Sequence, residues 1–255
     1  MNVLILTDFS ETSVNAGRYA VDFLQGTAIN YYLLNIHNFN FNKAASKTLD
    51  KELVGNLQKL EAERKILKNY SQSEQHQFNS ILSSENLIGA VRKAIIDKNI
   101  DLIFIGAVSQ EEHLHPILGD HAYDVVRKIK CNIIAVPGGC VYKNPDETIF
   151  PVDQTLMSLE EQNNIIDNLD YFKASNFTLL EVSGGAVELS GITNRNVSFQ
   201  ITAALTNKLF KEIQEEFDII IICGKNLSIC DRLLHTKYGF SAHMKIEIPI
   251  FVYHG

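Results

Sequence analysis

The sequence predicts an α/β protein made of two tandem doubly wound, mainly parallel five-stranded sheets. Three observations predict it. Apolar runs of strand length alternate with segments of helical periodicity. The first series holds five such strands and four helices, which calls for a parallel sheet covered on both faces. The series then starts again after residue 147, as an internal duplication.

"NVLILTD" (2–8) is a buried strand. Ser10, Thr12 and Ser13 are candidate N-caps for the helix in "VNAGRYAVDFL". "INYYLLNIH" (29–37), rich in aromatic and branched residues, is the second strand. Residues 47–70 form a long amphipathic helix with Leu49, Leu53, Leu57, Leu60 and Leu67 on one stripe. "HQFNSIL" (76–82) is the third strand. Leu87, Ala90, Val91, Ala94 and Ile95 then mark a helical face. "DLIFIGA" (101–107) is the fourth strand. Ala122, Val125, Val126 and Ile129 give the fourth helix, and "CNIIAVP" (131–137) closes the series.

"GGCVYKNPDE" (138–147) has the composition of a linker, which divides the chain into a domain 1–143 and a second, 144–255. In the second copy "TIFPVDQ" mirrors "VLILTDF", and "FTLLEVS" and "NVSFQIT" mirror the second and third strands. "TAALTNKLFKEIQEEF" is a helix that leads into "DIIIICGKN", and "IPIFVYH" closes the copy. "GGAVELSGITN" stands where the first copy has its long helix, so the second domain is shortened and a face of its sheet loses cover.

Bulk properties exclude several classes of function. The 255 residues are 45% hydrophobic and 21% charged, as in ordinary globular proteins. A net charge of −7 argues against a nucleic-acid binder, which needs a basic stripe. No apolar run reaches the length of a membrane span, and "MNVLILTD" lacks the basic start and cleavage site of a signal peptide, so a cytoplasmic protein is expected. Cys131, Cys140, Cys223 and Cys230 match no zinc spacing and read as reduced thiols. No nucleophile–base pair, carboxylate dyad or metal cage stands out, so no enzymatic activity is expected.

The candidate site is "FIGAVSQEEHLHPILGDHAYDVV" (104–126), which runs from a strand into a helix with glycines at Gly106 and Gly119. Glycines in such a loop let backbone N–H groups approach phosphate oxygens. The loop nevertheless carries Glu111, Glu112 and Asp120, and no Lys or Arg before Arg127. Asp120 also suits a helix N-cap, which explains it without a ligand. His113, His115 and His121 beside Asp120 could ligate Zn²⁺, but their spacing fits no compact zinc motif, and a polar exposed loop accounts for them. Asp8 and Asp153 end the first strand of each copy at the carboxyl edge of the sheet, where α/β folds bind ligands, or else turn the chain into the next helix.

The strand order, the Asp closing strand one and the glycines after strand four resemble the universal stress protein family in its tandem two-domain form. That resemblance implies the adenine nucleotide alpha hydrolase-like fold. It also implies that the strands 131–137 and 248–253 meet across a pseudo-two-fold axis, so that the chain mimics a dimer. Nucleotide-binding members carry G-x2-G-x9-G-[ST] after strand four, with an Asp at the end of strand one on the adenine side. Here Asp8, Gly106 and Gly119 fit, while Ser109 replaces the middle glycine and Asp120 the final Ser or Thr. In the second copy Asp153 and Gly224 fit, but Leu227 replaces the middle glycine and Phe240 follows Gly239. The resemblance therefore implies a stress-response scaffold or interaction module with weak or lost ATP binding. The alternative is an adenine-nucleotide sensor that holds ATP or AMP, with Mg²⁺, on the loop of the first copy. A slow phosphohydrolase with a metal on Asp120 stands further out. The thinly covered sheet of the second copy adds an expected homodimer of tandem chains, or closure by its own loop.

Overall fold

The computed structural model describes residues 1–37, 46–107, 118–153, 155–182, 197–201, 207–224 and 246–255. The first half runs β1 (Asn2–Leu6), α1 (Glu11–Phe23), β2 (Ile29–Ile36), α2 (Ser46–Ser71), β3 (His76–Ser83), α3 (Leu87–Lys98), β4 (Leu102–Gly106), α4 (Asp120–Lys128) and β5 (Asn132–Val136). The second runs β6 (Glu147–Val152), α5 (Leu159–Asn168), a 3₁₀ turn (Asp170–Phe172), β7 (Asn176–Glu181), β8 (Val197–Ile201), α6 (Asn207–Glu216), β9 (Ile219–Cys223) and β10 (Ile250–Tyr253).

Local chemistry sets the helix starts. Ser10, of the three candidates, caps α1: its Oγ accepts from Ser13 N at 3.2 Å. Asn86 caps α3 in the same way, and Asn99 ends it in the left-handed conformation. Ser158 and Glu161 close a full capping box on α5. This helix is absent from the sequence expectations because "LEEQNNIIDN" offers too few apolar residues to mark a face.

The strands form one ten-stranded sheet in the order β3-β2-β1-β4-β5-β10-β9-β6-β7-β8. Each half repeats the same internal order, and every pairing is parallel except β5 with β10. The two expected sheets are thus fused, at the strands expected to meet. Ile250, Phe251 and Val252 pair antiparallel with Ala135, Ile134 and Ile133. Both faces of the sheet are covered. One packs Leu4, Ile103, Ile133, Ile220 and Val252 with α3, α4 and α6. The other packs Ile5, Phe104, Ile134, Ile221 and Phe251 with α1, α2 and α5.

Some sequence expectations change. The inward stripe of α2 holds Leu60 and Leu67, but Leu57 is 42% exposed and Leu53 is half-buried. The buried positions instead follow Leu60, Glu63 and Leu67. Leu67 packs so closely on α1 that a Cβ on Gly17 would lie 2.8 Å from its Cδ1. The expected linker is laid back over α1: Asn15 Nδ2 donates to the carbonyls of Pro137 and Cys140, and Tyr142 meets Tyr19 edge-on at 5.5 Å. In β7, Phe177 through Glu181 are buried, so the sheet is not bare there. The segment 184–194, expected to stand for a missing helix, lies outside the described residues, as does Cys230. Cys131 and Cys223 are buried free thiols, as expected, and burial pushes the Cys131 thiol up to about 11.

The seam between β5 and β10 generates the first prediction. Phe251 is fully buried there, with Phe172 edge-on at 5.1 Å. Phe251→Ala is expected to lower stability by about 3–5 kcal/mol. In urea denaturation, circular dichroism and tyrosine fluorescence should shift together, because the cores on either side of the seam are continuous.

Candidate functional site

A cavity of about 340 Å³ opens at the carboxyl ends of β1, β2 and β4. β1 and β4 are adjacent, and the chain leaves them toward opposite faces of the sheet, so this is the topological switch point at which α/β sheets hold ligands. Its volume lies at the low end of the range of small-molecule sites, about 300–1,000 Å³. Leu6, Leu34, Ile36, Leu87 and Ile105 supply apolar wall. Thr7, Asp8, Ser10, Ser13, Asn35, Asn86 and His121 supply polar groups, and the described wall contains no Lys or Arg.

The turn after β1 carries Asp8. Its Oδ1 accepts the N–H of Ser10 at 3.0 Å. Burial pulls the Asp8 carboxyl up, but the hydroxyl and N–H of Ser10 and the hydroxyl of Ser13 outweigh it and hold the group below its ordinary value. Phe9 follows with φ 67°, a left-handed conformation seldom adopted by an aromatic residue. Thr7 closes the turn from below: Phe9 N–H donates to Thr7 Oγ1 at 3.0 Å, and Thr7 Oγ1 donates to Glu63 Oε2 at 2.7 Å.

Glu63 is a residue that the sequence reading misses. It reaches this turn from the inward face of α2 and is 4% exposed. Its second oxygen, Oε1, is buried without a hydrogen-bond partner. Burial raises its pKa, Thr7 opposes the rise, and the Asp8 charge adds to it. The available signal is a Glu three residues after Leu60 and four before Leu67, a core position in a helix otherwise polar on its outer face.

The loop after β4 is described only at its ends. Gly106 and Gly119 both line the cavity, while Ser109, Glu111, Glu112, His113 and His115 lie outside the described residues. A Cβ on Gly106 would lie 2.8 Å from Thr12 Cγ2 and 3.3 Å from its carbonyl carbon, so this glycine lets α1 start against the end of β4. Gly119, with φ −64° and ψ 160°, is the N-cap of α4 and needs no left-handed freedom. It is held by its N–H to Ala107 O at 2.8 Å. Asp120 is therefore the first residue of the helix and not its cap, which corrects the sequence reading; it is exposed, and the described wall runs past it through Gly119, His121 and Ala122. Among the described residues no group of three or more His, Cys, Asp or Glu could hold a metal ion.

The second copy repeats part of this geometry. Asp153 also turns its chain, accepting Thr155 N–H at 3.0 Å, but it is 4% exposed where Asp8 is open. Gly224 donates its N–H to Tyr253 O at 2.7 Å, and a Cβ there would lie 2.4 Å from His254 Cε1. The ring of His254 thus takes the space beside Gly224. Leu227, Gly239 and Phe240 lie outside the described residues.

Comparison with known proteins agrees with this fold. The family model described as "Universal stress protein family" matches residues 1–137. A universal stress protein from Archaeoglobus fulgidus DSM 4304 superposes with a TM-score of 0.71 at 14% identity, over 99% of this chain and 95% of that one. A putative universal stress protein from Pseudomonas aeruginosa UCBPP-PA14 gives a TM-score of 0.56 at 10% identity, over 99% of this chain and 92% of that one. No curated protein matches the chain. No helix among the described residues is long and apolar enough to cross a membrane.

The buried carboxyl of Glu63 generates the second prediction. Its pKa is raised in the folded state, so its favourable contribution is complete below the unfolded value, about 4.3, and is lost as pH rises through the folded value. Glu63→Gln keeps an acceptor for Thr7 and cannot ionise. The variant should gain stability relative to the wild type as pH rises from 4 to 8, read by urea midpoints at each pH.

Proposed function

From the premise that this chain belongs to the universal stress protein family, shown by the family match over residues 1–137, we propose that its first half is a binding module for the nucleoside part of an adenine nucleotide. In this reading the phosphates bind weakly unless a divalent ion accompanies them. The observation that carries the reading is the cavity itself. It sits at the switch point, has an apolar wall, and presents Asp8, Gly106 and Gly119 together, yet its described wall offers no cation to a phosphate chain. The N-terminus of α4 supplies only backbone N–H groups and a partial positive charge, and Asp120 stands at the same place. Mg²⁺ shared between Asp120 and the phosphates would reverse the sign of that contact. The protein acts by binding, as a sensor, and not by catalysis.

A second reading is a scaffold or interaction module with no ligand. Gly106 favours it, because the close approach of Thr12 explains this glycine without a nucleotide. Cytoplasmic residence, the division near residue 143 and a homodimer of tandem chains belong to the same proposal.

Calorimetry with adenosine, AMP and ATP, with and without Mg²⁺, tests the reading on the wild type and on Asp120→Ser. Adenosine should bind at least as well as metal-free ATP, and ATP should gain from Mg²⁺. Asp120→Ser should improve metal-free ATP binding about fivefold, the worth of removing one like charge at contact distance in water. Tight metal-free ATP binding by the wild type, unchanged in Asp120→Ser, would overturn the electrostatic account. No binding of any of the three would favour the scaffold.

A further inference from the structure

Thr7 is fixed from several sides. Its N–H donates to Leu34 O at 3.0 Å, and its carbonyl accepts from Asn35 Nδ2 at 2.8 Å. Ser13 Oγ lies 3.2 Å from its Oγ1. A hydroxyl has one hydrogen and two lone pairs. If the hydrogen turned toward Phe9, it would oppose the Phe9 N–H and the turn would lose its closing bond. Glu63, with Oε2 at 2.7 Å, takes that hydrogen and leaves the lone pairs free for Phe9 N–H and for Ser13. The direction of one buried hydroxyl thus decides whether the left-handed conformation of Phe9, and with it the position of Asp8, is supported.

We infer that Glu63 is a positioning residue of the cleft, which acts from α2 through the Thr7 hydroxyl to hold the Phe9 turn and present Asp8 to the ligand. Three features of Glu63 support this. It lines no part of the described cavity wall, so it acts through another residue. It is buried at a position that an apolar residue would fill more favourably, and a buried polar group with one oxygen unpartnered is retained against a desolvation cost. Its partner Thr7 is also buried, so solvent does not replace the bond when it is lost. The significance of the device for binding rests on the nucleoside-binding reading above; its effect on Asp8 does not.

The test compares the wild type with Glu63→Gln, Glu63→Leu and Thr7→Val, and with the Glu63→Leu/Thr7→Val double variant. The first readout is the titration of the Asp8 carboxyl by NMR in the absence of ligand. Glu63→Gln keeps an acceptor and should leave the Asp8 midpoint depressed. Glu63→Leu and Thr7→Val should each raise it toward the ordinary value of about 3.9, and the double variant should go no further than either. The second readout is adenosine affinity, expected to fall about fivefold in Glu63→Leu and Thr7→Val, the worth of one lost hydrogen bond, and to be retained in Glu63→Gln. An Asp8 midpoint unmoved in Thr7→Val, a near-isosteric change that keeps the test available if Glu63→Leu does not fold, would overturn the inference. An Asp8 midpoint that moves in a protein with no affinity for adenosine would uphold the positioning and overturn the binding reading alone.

Discussion

The structure depends on the pairing of β5 with β10. Each half alone would end its sheet in an apolar strand with an unpaired edge, Ile133–Val136 in one and Ile250–Val252 in the other. Exposed edges of this kind recruit further strands. Antiparallel pairing of the two removes both edges and carries both hydrophobic layers across the junction without a break. The same pairing sets the functional geometry. Because β5 and β10 run in opposite directions, the carboxyl ends of the two sets of parallel strands face opposite edges of the sheet. The cleft of the first half and the corresponding region of the second therefore cannot share a ligand, and each has its own surroundings.

Those surroundings differ between the halves while the order of the strands does not. Asp8 and Asp153 each accept an N–H two residues on, yet one is open to the cleft and the other is buried. Gly106 and Gly224 both accommodate a close neighbour. For Gly106 it is Thr12 from the helix that follows β1; for Gly224 it is His254 from the last residues of the chain. His254 is itself tied to the first half, since its N–H donates to Asn132 Oδ1 at 2.9 Å. Burial lowers its pKa, a hydrogen bond with the Val126 backbone opposes the shift, and the Lys130 charge adds to it. A glycine at the end of the strand next to the seam strand in each half can thus serve packing in one and line a cavity in the other.

The strands were legible because a strand buried on both faces must be apolar at nearly every position, and such runs stand out in any sequence. The seam was legible only through the family resemblance, which implies that strands 131–137 and 248–253 meet; apolar runs alone do not say which strands pair. Helix faces were less so. In α2, leucines at 49, 53, 57, 60 and 67 suggest one stripe, but the helix rotates Leu57 outward and turns Glu63 inward. Nothing in a polar helix distinguishes an inward Glu from an exposed one such as Glu52 until the apolar positions on either side are known to be buried. The cap of α4 shows the same limit: Asp is a better cap than Gly by propensity, and the helix nonetheless begins one residue earlier, where Gly119 bonds Ala107. The cavity could be placed from Asp8 and the glycines. Its support from α2 could not, because that contact spans 56 residues of chain.

The cost of that support explains why it belongs to the site and not to the general core. A left-handed aromatic residue costs of order 1–2 kcal/mol, and a buried carboxyl with an unpartnered oxygen costs more, of order 1–3 kcal/mol. An apolar residue at 63 and an unstrained residue at 9 would avoid both. Lys59 lies 5.7 Å over the Phe9 ring, a contact of modest worth at an exposed position, so it does not offset the strain. Strain of this size survives where the surroundings over-determine it, and here they do: Leu34, Asn35, Ser13 and Glu63 all hold Thr7. The net result is a carboxylate on a turn fixed before any ligand arrives. A preorganised group spends less of its interaction energy on ordering itself, so the Asp8 carboxylate meets the cleft already placed by Thr7 and Glu63.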